Sequence, residues 1–271
     1  MAQIINPIGL TWTSEFFRYY TRIPMKLYLI RHAQSANNEI YSPAGNEPGR
    51  HPDPEITEAG HRQAGLLAAH FARHDTEPRQ RPFQSTNFQN YGLTHLYCSL
   101  MTRSILTAEY IARACDLPLQ ALPDIFEKYG VHKFDGTGIR QGVPGPPRAY
   151  FEERFPTLVL PNEVGEQGWW SRPVESDQAF VQRVKKAMMN IRQRHAGEDD
   201  SVGMVVHGDF IDQCINALMG VSRSDENYSA DWEANWVSHN TSISRIDFIN
   251  GSQNVIYLNR IDHLSADLVT W

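Results

Sequence analysis

Leu27-Tyr28-Leu29-Ile30 is an unbroken apolar run that stops on Arg31-His32 and a stretch of small polar residues. A short run of this kind predicts a buried strand. The same order recurs downstream. Leu93 to Cys98 predicts a second strand, followed by a helix with Ile105, Ala108, Ile111 and Ala112 on one side. Val202 to Val206 predicts a central strand, then His207-Gly208-Asp209 and a helix from Phe210 to Met219. Between them, Thr57 is placed to cap a helix whose stripe is Ala64, Leu67, Ala68 and Phe71. A strong helix begins at Glu175-Ser176-Asp177 and aligns Phe180, Val184, Met188 and Ile191 on one face. Ile243 to Phe248 alternates like a half-buried strand near a sheet edge, and Val255 to Leu258 reads as a further strand. Three strand–helix alternations followed by late strands predict an α/β fold, one mixed and mostly parallel sheet covered by helices.

The intervening stretches are polar. Residues 39–54 and 75–92 are rich in Pro, Gly, Asn and charge and read as loops, with Arg50 and His51 placed to line a substrate entrance. Residues 136–147 are dense in Gly and Pro and read as a loop or lid, with Trp169-Trp170 available to pack it down. Residues 25–271 therefore read as a single domain with insertions near 39–54, 75–92 and 130–170. Residues 1–24 are an extension of uncertain role, either an extra packed arm or a stretch ahead of a start at Met25. The extension has no clean apolar core after a basic start, so it does not read as a signal peptide.

Charge and cysteines narrow the field. Net charge is −6 over 271 residues, which argues against a nucleic-acid partner, so any anion site is a local basic pocket in an acidic protein. No stretch reaches the length of a membrane span. Cys98, Cys115 and Cys214 are widely spaced and odd in number, which fits a reducing, cytoplasmic setting better than a disulfide framework. His70 and His74 lie four apart, but no Glu follows His70, so they read as an exposed helix end rather than a metal site. No metal and no cofactor is expected. A homo-oligomer is left open.

The chemistry lies at the strand ends. Arg31 and His32 follow one strand and His207 another, and open α/β sheets bind ligands at the carboxyl ends of their strands. Arginine grips a phosphate with a planar fork, and a neutral imidazole nitrogen can attack phosphorus. Arg103 sits near a further strand-to-helix turn, and Asn38 is placed to open a helix as its cap.

Five segments, in order, resemble the histidine phosphatase superfamily, branch 1, with its phosphoglycerate-mutase-like fold. Arg31-His32-Ala33-Gln34-Ser35-x-x-Asn38 resembles the R-H-G-x-S/T-x-x-N signature, with Ala33 in the Gly position. Ile56-Thr57-Glu58-Ala59-Gly60-x-x-Gln63-Ala64 resembles the helix start that follows it. Ser99-x-x-x-Arg103, Val205-Val206-His207-Gly208 and Asn259-x-x-x-His263-Leu264 resemble three later motifs. The resemblance implies a three-layer αβα sandwich with one antiparallel strand. It also implies a metal-independent phosphomonoesterase that forms a phosphohistidine on a small phosphorylated metabolite. His32 would be the nucleophile. Arg31, Asn38, Arg103 and His207 would hold the phosphoryl oxygens, with His207 best suited as imidazolium.

Glu127 is the preferred general acid, in Ile125-Phe126-Glu127, although Gly130 follows it by three residues where the family pattern has four. Asp124 and Asp209 are the competitors. Phosphoglycerate-mutase-type transfer is the alternative activity, but the mutase G-W-x-D and E-R-H-Y-G segments are replaced by Gly49-Arg50-His51-Pro52-Asp53 and Phe126-Glu127-Lys128-Tyr129-Gly130. An inactive phosphate-binding module is a third reading, disfavoured because His32 and a candidate acid are both present.

Overall fold

The structure, a computed structural model, describes residues 25–41, 49–73, 91–195, 199–220, 235–249 and 251–271. The 1–24 extension lies outside the described residues, as do His74 and most of the 75–92 loop. A seven-stranded sheet forms the centre. Its strands are β1 (Met25–Arg31), β2 (His95–Ser99), β3 (Leu119–Leu122), β6 (Leu158–Val159), β7 (Asp200–Val206), β8 (Ile243–Ile249) and β9 (Ser252–Arg260), in the spatial order β6-β3-β2-β7-β1-β8-β9. β1 pairs in parallel with β7, which pairs in parallel with β2, while β8 runs antiparallel to both of its neighbours. The expected single antiparallel strand is therefore β8.

Alternation along β1 sorts the core into two layers. Tyr28 and Ile30 face one side, with Leu67 of α2 (Glu58–Phe71) and Ile105, Ala108 and Ile111 of α3 (Thr102–Cys115). Leu27 and Leu29 face the other, with Phe180 and Val184 of α5 (Asp177–Arg194) and Phe210 and Ile211 of α6 (Gly208–Leu218). Period two in the strand and period 3.6 in the helices make each side chain point to one layer only. The result is the three-layer αβα arrangement. Thr57 caps α2 by accepting the Gly60 amide, and Ser176 caps α5 by accepting the Ala179 amide.

Several local readings change. Ser35, not Asn38, caps the four-residue α1 (Ala36–Glu39), and Asn38 is its third residue, closing a capping box with Ser35. The 136–147 stretch is not all loop: Arg140–Gly142 (β5) pairs antiparallel with His132–Phe134 (β4). α4 (Arg148–Arg154) and β6 follow, and β6 joins the edge of the main sheet beside β3. β3 and β6 are too short to carry a readable period. Trp170 packs this insert, edge-on to Phe126 at 4.8 Å between ring centroids and with its carbonyl taking the Gly145 amide.

Candidate active site

Three adjacent parallel strands deliver Arg31, His32, His207 and Ser99 to the carboxyl end of the sheet. Arg31 ends β1 opposite Val206, which ends β7, so His32 and His207 leave the sheet side by side. The His32 amide donates to the Val206 carbonyl at 2.9 Å, and the two imidazole centroids are 5.1 Å apart. Ser99, the last residue of β2, meets His207 Nε2 through its hydroxyl at 2.7 Å. Arg103, in the first turn of α3, donates its Nε–H to His32 Nε2 at 3.1 Å.

These contacts fix the state of His32. Its Nδ1 lies 2.7 Å from the Ala33 carbonyl oxygen, which can only accept, so Nδ1 carries the proton. Nε2 is then the lone-pair nitrogen, the one Arg103 addresses. Burial first, then the Arg103 and Arg31 charges, hold His32 well below the usual histidine range. It is a neutral imidazole, the form that can attack phosphorus. His207 is lowered in the same way by burial, Arg103 and His32, so it needs an anion beside it to hold a second proton. Among the described residues, His207 Nδ1 and Arg31 Nε are buried without a hydrogen-bond partner. Unspent nitrogens of this kind suit phosphoryl oxygens.

The strand ends are braced by residues that carry no signal in the sequence. Asn240 donates from Nδ2 to the His32 carbonyl at 3.0 Å, and Thr241, with φ at 60°, donates its amide to the Arg31 carbonyl at 3.1 Å. Arg31 also donates to the Ser238 carbonyl. Asp53 accepts from the Thr102 amide and hydroxyl at 3.0 and 2.7 Å and lies 3.8 Å from Arg103 Nη1. It therefore caps α3, whose own cap position, Met101, offers no side-chain bond. These are long-range polar contacts with no local pattern to betray them. Asn38 is not aimed at the arginines by any contact. Its Oδ1 accepts from Ser35 and from Asn240, so it reaches His32 only through Asn240.

Glu127 shares a cavity with Arg103, although His32, His207 and Arg31 do not line it. A cavity of about 80 Å³ is lined by Arg103 and Glu127 together with Arg50, His51, His132 and Phe134, among others. The 49–54 loop thus forms part of the wall, as does the β4–β5 hairpin. Glu127 Oε1 accepts the Lys128 amide at 2.8 Å and Oε2 accepts the Asp209 amide at 3.4 Å. Burial, then the Asp209 carboxylate, push Glu127 up to about 7, against the opposing pull of Arg103 and Arg31. Of the three candidate acids, Glu127 alone lines the cavity. Asp124 supplies a backbone carbonyl to Arg183, and Asp209 is exposed. The Gly130 amide donates to the Glu127 carbonyl at 3.0 Å, closing a turn on the acid itself.

Among the described residues, two groups elsewhere bring metal-ligating side chains together, and neither includes a residue of this cluster: His70, Asp262, His263 and His95, His195, Asp200. In the first, Asp262 is already held by Arg260 at 2.6 and 2.7 Å. His70 there is buried, with Tyr91 2.7 Å from Nε2, which corrects its reading as an exposed helix end. In the second, Asp200 is held by His195 at 2.7 Å and by Thr94 at 3.1 Å, and an open cavity of about 610 Å³ beside it is also lined by Arg194. Cys98, Cys115 and Cys214 are all free thiols, and no described helix is long and apolar enough to cross a membrane.

A family model for the histidine phosphatase superfamily, branch 1, matches residues 27–261. The chain belongs to that superfamily. No curated protein sequence matches it. Among solved structures, the histidine phosphatase chain is similar to a phosphoserine phosphatase mutant from Entamoeba histolytica, in complex with phosphoserine. That similarity has 16% identity and a TM-score of 0.53, covering 89% of this chain and all of that one. It is similar to an α-ribazole phosphatase from Shigella flexneri at 17% identity and a TM-score of 0.51, covering 87% and 96%. It is also similar to a mycobacterial glucosyl-3-phosphoglycerate phosphatase at 16% identity and a TM-score of 0.53, covering 87% and 99%. At such identities the likeness concerns the fold.

Proposed function

We propose that this histidine phosphatase is a phosphomonoesterase for a small phosphorylated metabolite and that it works through a phosphohistidine on His32. The observation that carries the reading is the fixed tautomer of His32, with Nε2 bare of hydrogen and set among buried arginines. Nε2 attacks phosphorus and the bond to the ester oxygen breaks. Glu127, protonated, gives its proton to that leaving oxygen. Arg31, Arg103 and His207 hold the remaining oxygens where negative charge is retained through a loose transition state. Water then attacks the phosphohistidine with Glu127, now a carboxylate, as base, and inorganic phosphate leaves. The phosphatase neighbours and the small cavity support a small substrate, and no step calls for a metal ion.

The test is rapid acid-free quenching with ³²P-labelled nitrophenyl phosphate in the presence of a chelator. Wild type is expected to trap an acid-labile, base-stable label, and His32→Ala to trap none while keeping its far-UV spectrum. Label retained in His32→Ala, or turnover strictly dependent on a divalent ion, would sink the proposal. Turnover of 2- or 3-phosphoglycerate by isomerisation instead of hydrolysis would move the enzyme to mutase-type transfer.

A further inference from the structure

The backbone that carries Glu127 is gripped from outside the catalytic cluster. Arg183, on α5, donates from Nη1 to the carbonyls of Asp124 and Phe126, both at 2.9 Å. The same guanidinium lies over the Phe126 ring, 3.5 Å from its centroid. Its Nε and Nη2 fork onto Glu175 at 3.0 and 2.5 Å. Glu175 Oε1 also accepts the Tyr129 amide at 3.2 Å. One buried ion pair, its side chains 10% and 11% exposed, therefore holds the chain on both sides of residue 127. Asp177 adds an outer tie to the same turn through Lys128 Nζ at 2.9 Å.

A buried pair is a weak device for stability, because desolvating two charges consumes most of what their attraction returns. This one spends its hydrogen bonds on three backbone groups of a single short segment. Its placement makes sense as alignment. Displacement by about 1 Å can cost a catalytic group on the order of 10²-fold in rate.

We propose that Arg183 and Glu175 are positioning residues that fix the Glu127 carboxyl against the leaving oxygen. They act on proton delivery and not on grip of the phosphoryl group. The proposal rests on Glu127 being the general acid. A loosened segment also lets water reach the carboxyl, which lowers its pKa toward the ordinary glutamate range. Less of it is then protonated at neutral pH.

The experiment compares kcat across phosphomonoesters from alkyl to nitrophenyl, with Glu127→Gln as the reference. Arg183→Met is expected to lose on the order of 10²-fold on alkyl phosphates and no more than about fivefold on nitrophenyl phosphate, which needs little help from an acid. The basic limb of its pH profile should move to lower pH. Arg183→Lys should recover little, because one ammonium cannot serve both carbonyls and Glu175. Glu175→Gln keeps the acceptor for Tyr129 and should fall between. The double variant Glu127→Gln/Arg183→Met should be no slower on alkyl phosphates than Glu127→Gln alone. An equal loss on every ester, or an additive double variant, overturns the proposal. If Glu127→Gln itself shows no dependence on leaving group, the acid assignment falls and the positioning role falls with it. Should Arg183→Met fail to fold, Arg183→Lys and Glu175→Gln carry the same comparison.

Discussion

At the scale of single residues, Glu127 and Asp209 are two neighbouring carboxylates in different settings, one lining the cavity and one exposed. Glu127 is raised to about 7 by burial first and by Asp209 second. It is therefore a proton donor below about pH 7, and hydrolysis of alkyl phosphates should decline as pH rises through that value. Glu127→Gln should abolish that limb and cost roughly 10²- to 10⁴-fold on alkyl phosphates, far less on nitrophenyl phosphate. Asp209→Asn removes a like charge, so it should shift the limb downward while keeping the dependence on leaving group. A leaving-group-dependent collapse in Asp209→Asn would transfer the acid to Asp209. Much of this cluster is legible in the sequence. Arg31, His32 and His207 each follow an apolar run, and strand ends are where such sheets place chemistry. Asn240, Thr241 and Asp53 are not legible. They act through backbone groups many residues away, and nothing in their neighbourhood marks them. Asn38 reads as a cap because asparagine favours that position, yet Ser35 stands three residues earlier and takes that place.

At the scale of elements, the segment 124–130 is irregular backbone held by Arg183 and Glu175 through hydrogen bonds. Tyr129 and Gly130 both lie in the left-handed region, at φ 71° and 67°. A Cβ on Gly130 would come within 2.2 Å of the Trp170 ring. Gly130→Ala should therefore cost backbone strain on the order of 1–3 kcal/mol and a further cost from overpacking. The expected readout is a lowered thermal midpoint, with remaining activity falling most on alkyl phosphates because the segment carries the acid. An unchanged midpoint would show that Trp170 yields easily. β1 and β7 are legible as unbroken apolar runs, and α2, α3, α5 and α6 are long enough to repeat their period. β3, β6 and the strands of the β4–β5 hairpin span four residues or fewer, so Gly and Pro dominate the reading of the hairpin segment.

At the scale of the whole molecule, an acidic chain sets Arg31 and Arg103 beside its strand-end histidines, and burial lowers several of its histidines. Six described histidines, His32, His70, His132, His195, His207 and His263, are lowered, each chiefly by burial. The unfolded chain takes up protons on these groups near pH 6.5, and the folded chain resists. Below that pH the unfolded state binds more protons, so stability falls as pH falls. Glu127, Asp53 and Glu109 pull the other way, because their raised values let the folded state take up protons first. Glu127 and His263 roughly offset each other, so the net loss on acidification rests on His32 and His207, both held well below the usual histidine range. His263 alone, lowered to about 4, accounts for a loss approaching about 3 kcal/mol by pH 4. The lowered carboxylates Asp177, Asp200 and Asp262 add their losses only below about pH 4, so they do not confuse the window. The urea midpoint should therefore be highest near neutrality and drop steadily from about pH 6.5 to about 4.5. His263→Gln keeps a hydrogen-bonding end near the Thr241 hydroxyl, 3.1 Å from the imidazole, and cannot titrate. It should flatten that slope whatever it costs at pH 7. A midpoint that holds or rises on acidification would mean that these rings take up protons in the folded protein, and that water reaches them.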